Sequence, residues 1–134
     1  MIRLLYISVA AAGVGERDVK AILQAARRKN AATELTGLLV CGGGLFAQAI
    51  EGPEEAVLRT YVKILDDPRH SECRIVHITP TSTRLFAKWA MASLEGDVLE
   101  REHIEELRAY RTESVPPAAF SNVMRRLIAR LNAR

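Results

Sequence analysis

The sequence predicts an α+β fold, a ferredoxin-like βαββαββ sandwich with a mixed five-stranded sheet, two helices on one of its faces, and further helices at the C-terminus. Three observations predict it. Apolar runs rich in β-branched or alternating residues lie at 2–9, on both sides of Gly42-Gly43-Gly44, at 74–79 and at 84–94. Two segments with helical spacing separate them, one from Glu16 and one from Pro53. Strands that come singly and in pairs between two helices suit a single sheet covered by those helices.

Ile2 to Val9 is a strand by its β-branched and aromatic content, and the small residues from Ala10 to Gly15 end it. Alternation places Ile2, Leu4, Tyr6 and Ser8 on one face, so a phenol and a hydroxyl stand on an otherwise apolar side. A buried tyrosine hydroxyl needs a partner, unless its tip reaches solvent. From Glu16 to about Lys29, Val19, Ile22, Leu23 and Ala26 follow helical spacing, with acids at the start and Arg27, Arg28 and Lys29 at the end. Asn30 follows, and taken alone it suits a left-handed C-terminal cap.

Leu35 to Pro53, LTGLLVCGGGLFAQAIEGP, is the stretch around which the chain is organised. It predicts a β-hairpin whose glycines supply the positive φ angles of a tight connection. In its second strand Phe46, Gln48 and Ile50 share one side, and Leu45, Ala47 and Ala49 the other. Gln48 thus sits between two large hydrophobes. Leaving its amide unpaired would cost about 1–3 kcal/mol, so backbone, the sheet edge or another polar group must face it.

Pro53 opens the second helix, with Glu54 and Glu55 in its first turn and Leu58, Tyr61, Val62 and Leu65 as the expected buried stripe. The polar turn Asp66-Asp67-Pro68-Arg69-His70 ends it, and Arg74 to Thr79 follows as a strand. The segment from Arg84 to Leu94 reads as the last strand, on which Trp89 and Met91 share a face. Core packing is the default role for both. In a ferredoxin-like sheet the first and third strands are central neighbours, which would bring Tyr6 and Gln48 together under a helix. The expected division is a core over 1–96 and a helical extension over 97–134, the latter with a capping-box start at Asp97 and an apolar stripe from Phe120 to Leu131. That stripe favours self-association into a homo-oligomer.

Composition narrows the classes. The 134 residues, 49% of them hydrophobic, suit one domain with a real core. A net charge of +3 interspersed with 16 acids, and only 5% aromatic residues, give little footing for nucleic acid. A nucleic-acid-binding ferredoxin-like module is the alternative reading. Cys41 and Cys73 lack a CxxC partner or clustered histidines, so no metal site is expected and a reduced, cytoplasmic protein is the simplest reading. Leu4 to Ala12 is a poor signal peptide, since only Arg3 precedes it and Tyr6 and Ser8 interrupt it. No run reaches membrane-spanning length. The triple glycine is not followed by a helix and there is no activated nucleophile, so no enzyme is expected.

The segments LLYISVA, ARRKNAATELTGLLV, LFAQAIEGP, DDPRH and RLFAKWAM, in this order over roughly Met1 to Leu94, resemble the BLUF family of flavin-using blue-light receptors. The resemblance implies a flavin, expected to be FAD with FMN or riboflavin as alternatives, held between the two helices. It implies that Asn30 bonds the carbonyl and N3 edge of the ring, that Gln48 lies between Tyr6 and flavin N5/O4, and that Tyr6 is the electron donor. Asp67, Arg69 and His70 match the family's polar turn near the ribityl and phosphate region. Lys63 or Arg69 would meet a phosphate, with a surface salt link as the competing role. Trp89 and Met91 would be the output pair, and Ser8 would bond the indole or the glutamine. Lys29 stands where the family commonly carries Asn or His, and Ala47 and Ala49 replace bulkier neighbours of Gln48. Output is expected through the C-terminal helices to a separate signalling protein.

Overall fold

A computed structural model describes residues 1–95 and, beyond them, positions 126, 129, 130, 132 and 133. The elements are β1 (Ile2–Ala10), α1 (Glu16–Thr33), β2 (Thr36–Gly42), β3 (Leu45–Gly52), α2 (Glu54–Leu65), β4 (His70–Pro80) and β5 (Ala92–Glu95). They build a five-stranded sheet in the order β4-β1-β3-β2-β5, in which β5 runs parallel to β2 and the other pairings are antiparallel. This is the mixed α+β sheet expected of the sequence, with β1 and β3 as central neighbours. The helix expected from Asp97, the apolar residues of the Phe120 to Leu131 stripe and the boundary at residue 97 lie outside the described residues. No helix among the described residues is long and apolar enough to cross a membrane.

The hairpin closes through Gly43 and Gly44 at φ of 60° and 78°, the positive pair that a two-residue turn matched to strand twist requires. Gly37 answers a different need. A Cβ there would lie 2.1 Å from the Ala49 carbonyl oxygen and 3.1 Å from Met91 Cε, so β2 can approach β3 and Met91 only as glycine.

Alternation along the central strands makes two unlike faces. Leu5, Ile7, Leu38, Val40, Ala47, Ala49, Val76 and Phe86 form a core on the face away from α1 and α2. On the helix side, Leu23 of α1 packs with Leu39, Phe46 and Met91, while Val57 and Tyr61 of α2 pack with Leu4, Tyr6 and Ile50.

Three local expectations are corrected. α1 continues to Thr33 and its left-handed cap is Glu34 at φ 58°, so Asn30 is a buried helical residue rather than the cap. Ala31 and Ala32 favour another turn, and the Asn30 amide is already bonded elsewhere. On α2 the buried stripe is Val57 and Tyr61 with Ile64, whereas Leu58, Val62 and Leu65 are 39%, 59% and 46% exposed. Apolar residues on neighbouring sides of α2 left its rotation ambiguous, and packing of Tyr61 against Tyr6, with ring centroids 5.3 Å apart, fixes it. Last, the strand expected over 84–94 forms only from Ala92. The Leu85 and Phe86 amides bond the Glu51 carboxylate and the Trp89 amide turns back onto Phe86, which leaves that backbone unavailable for a ladder.

Candidate functional site

Tyr6 and Gln48 are register partners on β1 and β3, and both point to the helix side, where each is almost fully buried. The Tyr6 hydroxyl donates to Gln48 Oε1. The other end of the amide, Nε2, donates to Met91 Sδ at 3.5 Å. A thioether is a weak acceptor, so among the described residues the glutamine nitrogen has strong donor capacity left unused. Burial first, reinforced by Cys73, Tyr61 and Asp67 nearby, pushes the Tyr6 phenol far above its ordinary value and keeps it protonated.

Above this chain a cavity of about 360 Å³ opens between α1 and α2. Tyr6, Phe46, Gln48 and Ile50 form its floor, Lys29 and Asn30 stand on the α1 wall, and Lys63 on the α2 wall. Asp67, Arg69, His70 and Met91 also line it. Of the residues singled out from the sequence, all but Ser8 and Trp89 therefore meet at one cavity.

Ser8 is buried and bonds His70 Nδ1 at 2.7 Å, not the Trp89 indole or the glutamine. His70 Nε2 lies 2.6 Å from the Ile64 carbonyl oxygen. A carbonyl can only accept, so Nε2 carries a proton, and in the neutral ring Nδ1 accepts from Ser8. This orients an imidazole edge-on to both Tyr6 and Phe46. Arg69 is forked onto Asp67, with Nε to Oδ1 at 2.9 Å and Nη2 to Oδ2 at 2.5 Å. The Arg69 hydrogen bonds hold the Asp67 carboxyl below its usual range. That is the salt link weighed as the competing role for Arg69. Lys29 and Lys63 take part in no ion pair among the described residues.

Trp89 and Met91 do not share a face. Met91 is buried with the α1 cluster beside Gln48, while Trp89 is half-buried and packs against the opposite core. The bend before β5 separates them, and three consecutive carbonyls there are held from outside the segment. Gly37 N donates to Trp89 O at 3.2 Å, Asn30 Nδ2 to Ala90 O at 2.6 Å, and Arg27 Nε to Met91 O at 3.0 Å. Asn30 thus links the cavity wall to the segment that precedes β5.

Sequence reasoning passed over Arg27, Tyr61 and Glu51. Tyr61 was visible only as a stripe residue, and nothing distinguished Arg27 from the cationic end of its helix. Glu51 did carry a signal, because an acid ending an apolar alternation on one strand can pair with Arg3, the charged residue of the other central strand.

The site suits a planar, polar-edged cofactor: a cleft with an apolar wall, an underused amide donor at its floor and cations at its sides. The family model described as sensors of blue-light using FAD matches residues 1–92. Photoactivated adenylate cyclase subunit beta of Euglena gracilis is 38% identical over 97 residues, which are 72% of this chain and 11% of that protein. The chain therefore spans about a tenth of the curated relatives it matches there. A dark-state structure of BlrB, a BLUF protein, superposes with a TM-score of 0.79 at 29% identity, covering 96% of this chain and 95% of that one. The photo-activated state of BlsA gives a TM-score of 0.80 at 21% identity over 95% of this chain and 94% of that one, a likeness of fold. A matching family model that covers β1 to β4 and both helices, with a cavity of fitting chemistry at their centre, places this chain in the BLUF family of flavin-using blue-light sensors.

Proposed function

We propose that this chain is a blue-light photoreceptor in which Tyr6 and Gln48 convert light absorption into a changed hydrogen-bond pattern. The observation that carries the reading is the buried chain from the Tyr6 hydroxyl through the Gln48 amide to Met91 at the cavity floor. An oxidised flavin bound in the cavity would supply blue-light absorption and, when excited, a one-electron oxidant for Tyr6. Loss of that electron would acidify the Tyr6 phenol, whose proton has the existing bond to Gln48 Oε1 as its path. Return of the electron from the reduced cofactor, and of a proton from the amide, to Tyr6 would leave Gln48 rotated or tautomerised, with a new donor toward the cavity that would account for a small red shift.

Rotation has a consequence within the protein. It sets Oε1 against Met91 Sδ, two acceptors facing each other, and so releases the Met91 contact. Asn30 would hold the ring edge, and Lys29 or Lys63 a phosphate. The signal would leave through Met91, Trp89 and β5 into the residues beyond 96, and from there reach an effector or a second protomer. The Euglena gracilis relative is a photoactivated adenylate cyclase subunit, which suggests an effector in the same polypeptide as one form of such output.

Tyr6→Phe and Gln48→Ala test the assignment. Each variant is expected to retain flavin and lose the red-shifted state, as read from absorption before and after blue illumination. A normal shift in either would overturn its role.

A further inference from the structure

Glu51 lies on β3 three residues beyond Gln48 and points to the opposite face, where it is fully buried. Its Oε1 accepts from the Phe86 amide at 2.6 Å and the Thr36 hydroxyl at 3.1 Å, and its Oε2 from the Leu85 amide at 3.0 Å and Arg3 Nε at 3.1 Å. A carboxylate offers about four acceptor sites, and each is taken. Arg3 adds a bond to the Thr83 carbonyl at 3.1 Å, and the Phe86 ring is sealed in the core. The segment between β4 and β5 is therefore pinned at its start by charge-assisted bonds.

Its end is held differently. Over Trp89, Ala90 and Met91 the carbonyls accept from one backbone amide, the Asn30 amide and an exposed arginine, the Trp89 amide donates to the Phe86 carbonyl, and the Met91 thioether accepts from Gln48. Gln48 and Glu51 thus grip opposite ends of the same segment from one strand, one weakly and one firmly. If both ends were loose, a shift of Met91 would be absorbed as slack in the loop. A fixed start forces the shift onward into β5, whose pairing with β2 spans only Ala92 to Glu95.

We infer that Glu51 is a positioning residue for the light response: its carboxylate fixes Leu85 and Phe86 as a stationary anchor, so that rearrangement at Gln48 moves the chain only from Trp89 onward. The inference rests on the photoreceptor reading.

Residue-resolved hydrogen exchange on the flavin-loaded protein, in darkness and under blue light, tests it, with absorption recorded on the same sample. The expected result is a red shift, unchanged protection of the Leu85 and Phe86 amides, and exchange at 89–95 that quickens by about tenfold or more. Glu51→Gln, which keeps the shape but weakens the acceptor, is expected to keep the red shift. In it, Leu85 and Phe86 lose protection already in darkness, and the light-induced change at 89–95 shrinks as it spreads into 81–86. A variant lowered in stability alone would leave that distribution unaltered, which would overturn the inference. So would a wild-type red shift accompanied by loss of protection at Leu85 and Phe86, a result that needs no variant to fold. A wild-type protein with bound flavin and no shift would overturn the photoreceptor reading and this inference with it.

Discussion

Tyr6 with Gln48 and Arg3 with Glu51 are register pairs on the same two strands, three residues apart, yet they face opposite sides of the sheet and differ in how fully they are bonded. The first pair is neutral, and one end of its amide rests on a thioether. The second is charged, with every carboxylate site taken by a side chain or an amide of the 85–86 backbone. A buried polar network that is fully satisfied fixes a chain, whereas one with donor capacity left over can take a ligand or change partners. Sheet alternation lets one strand carry both behaviours a few residues apart.

The largest effect comes from breaking the saturated side. Glu51→Ala leaves the Arg3 guanidinium and two backbone amides buried without their acceptor, and loss of about 3–5 kcal/mol of unfolding free energy is expected in denaturant titration. A loss below about 1 kcal/mol would mean that water or rearranged side chains replace the carboxylate readily.

A middle effect is alkaline. Burial foremost, with Cys73 nearby, pushes Tyr61 from its ordinary value of 10.0 up to about 12, and Tyr6 is raised further. The unfolded phenols ionise first, so the stabilisation is fully present below about pH 10 and declines as pH rises, through about 12 for Tyr61. Thermal unfolding midpoints of the wild type should fall over that window, and Tyr6→Phe should flatten the fall. An equally steep decline in the variant would remove Tyr6 from the cause.

The smallest stability effect falls on the weakly bonded side. Met91→Leu conserves volume, so its cost is expected to stay below about 1.5 kcal/mol. It removes the sulfur that accepts from Gln48, so the light-induced exchange change at 89–95 should diminish while the spectral shift persists. An undiminished change would show that the signal bypasses Met91.

How far the sequence could be read follows the same division. The hairpin, the order of elements and the Tyr6 and Gln48 face were legible because period-two alternation and the glycine turn are local signals. The α2 rotation was not: Tyr61 is buried as expected, but around it apolar residues at 57 and 64 compete with those at 58, 62 and 65, and contact of Tyr61 with the Tyr6 ring decides between them. The break before β5 was hidden for a stronger reason. RLFAKWAM has the composition of a strand, and a carboxylate from β3 takes the amides that would have made it one. Asn30 looked like a cap because its true partner, the Ala90 carbonyl, is sixty residues away.

The most direct measurement is the absorption spectrum of the purified wild-type protein in darkness and immediately after blue illumination. The account predicts an oxidised-flavin spectrum that moves slightly to the red and returns in the dark. Flavin that bleaches or does not shift, or a cavity that takes up no flavin on reconstitution, would contradict it.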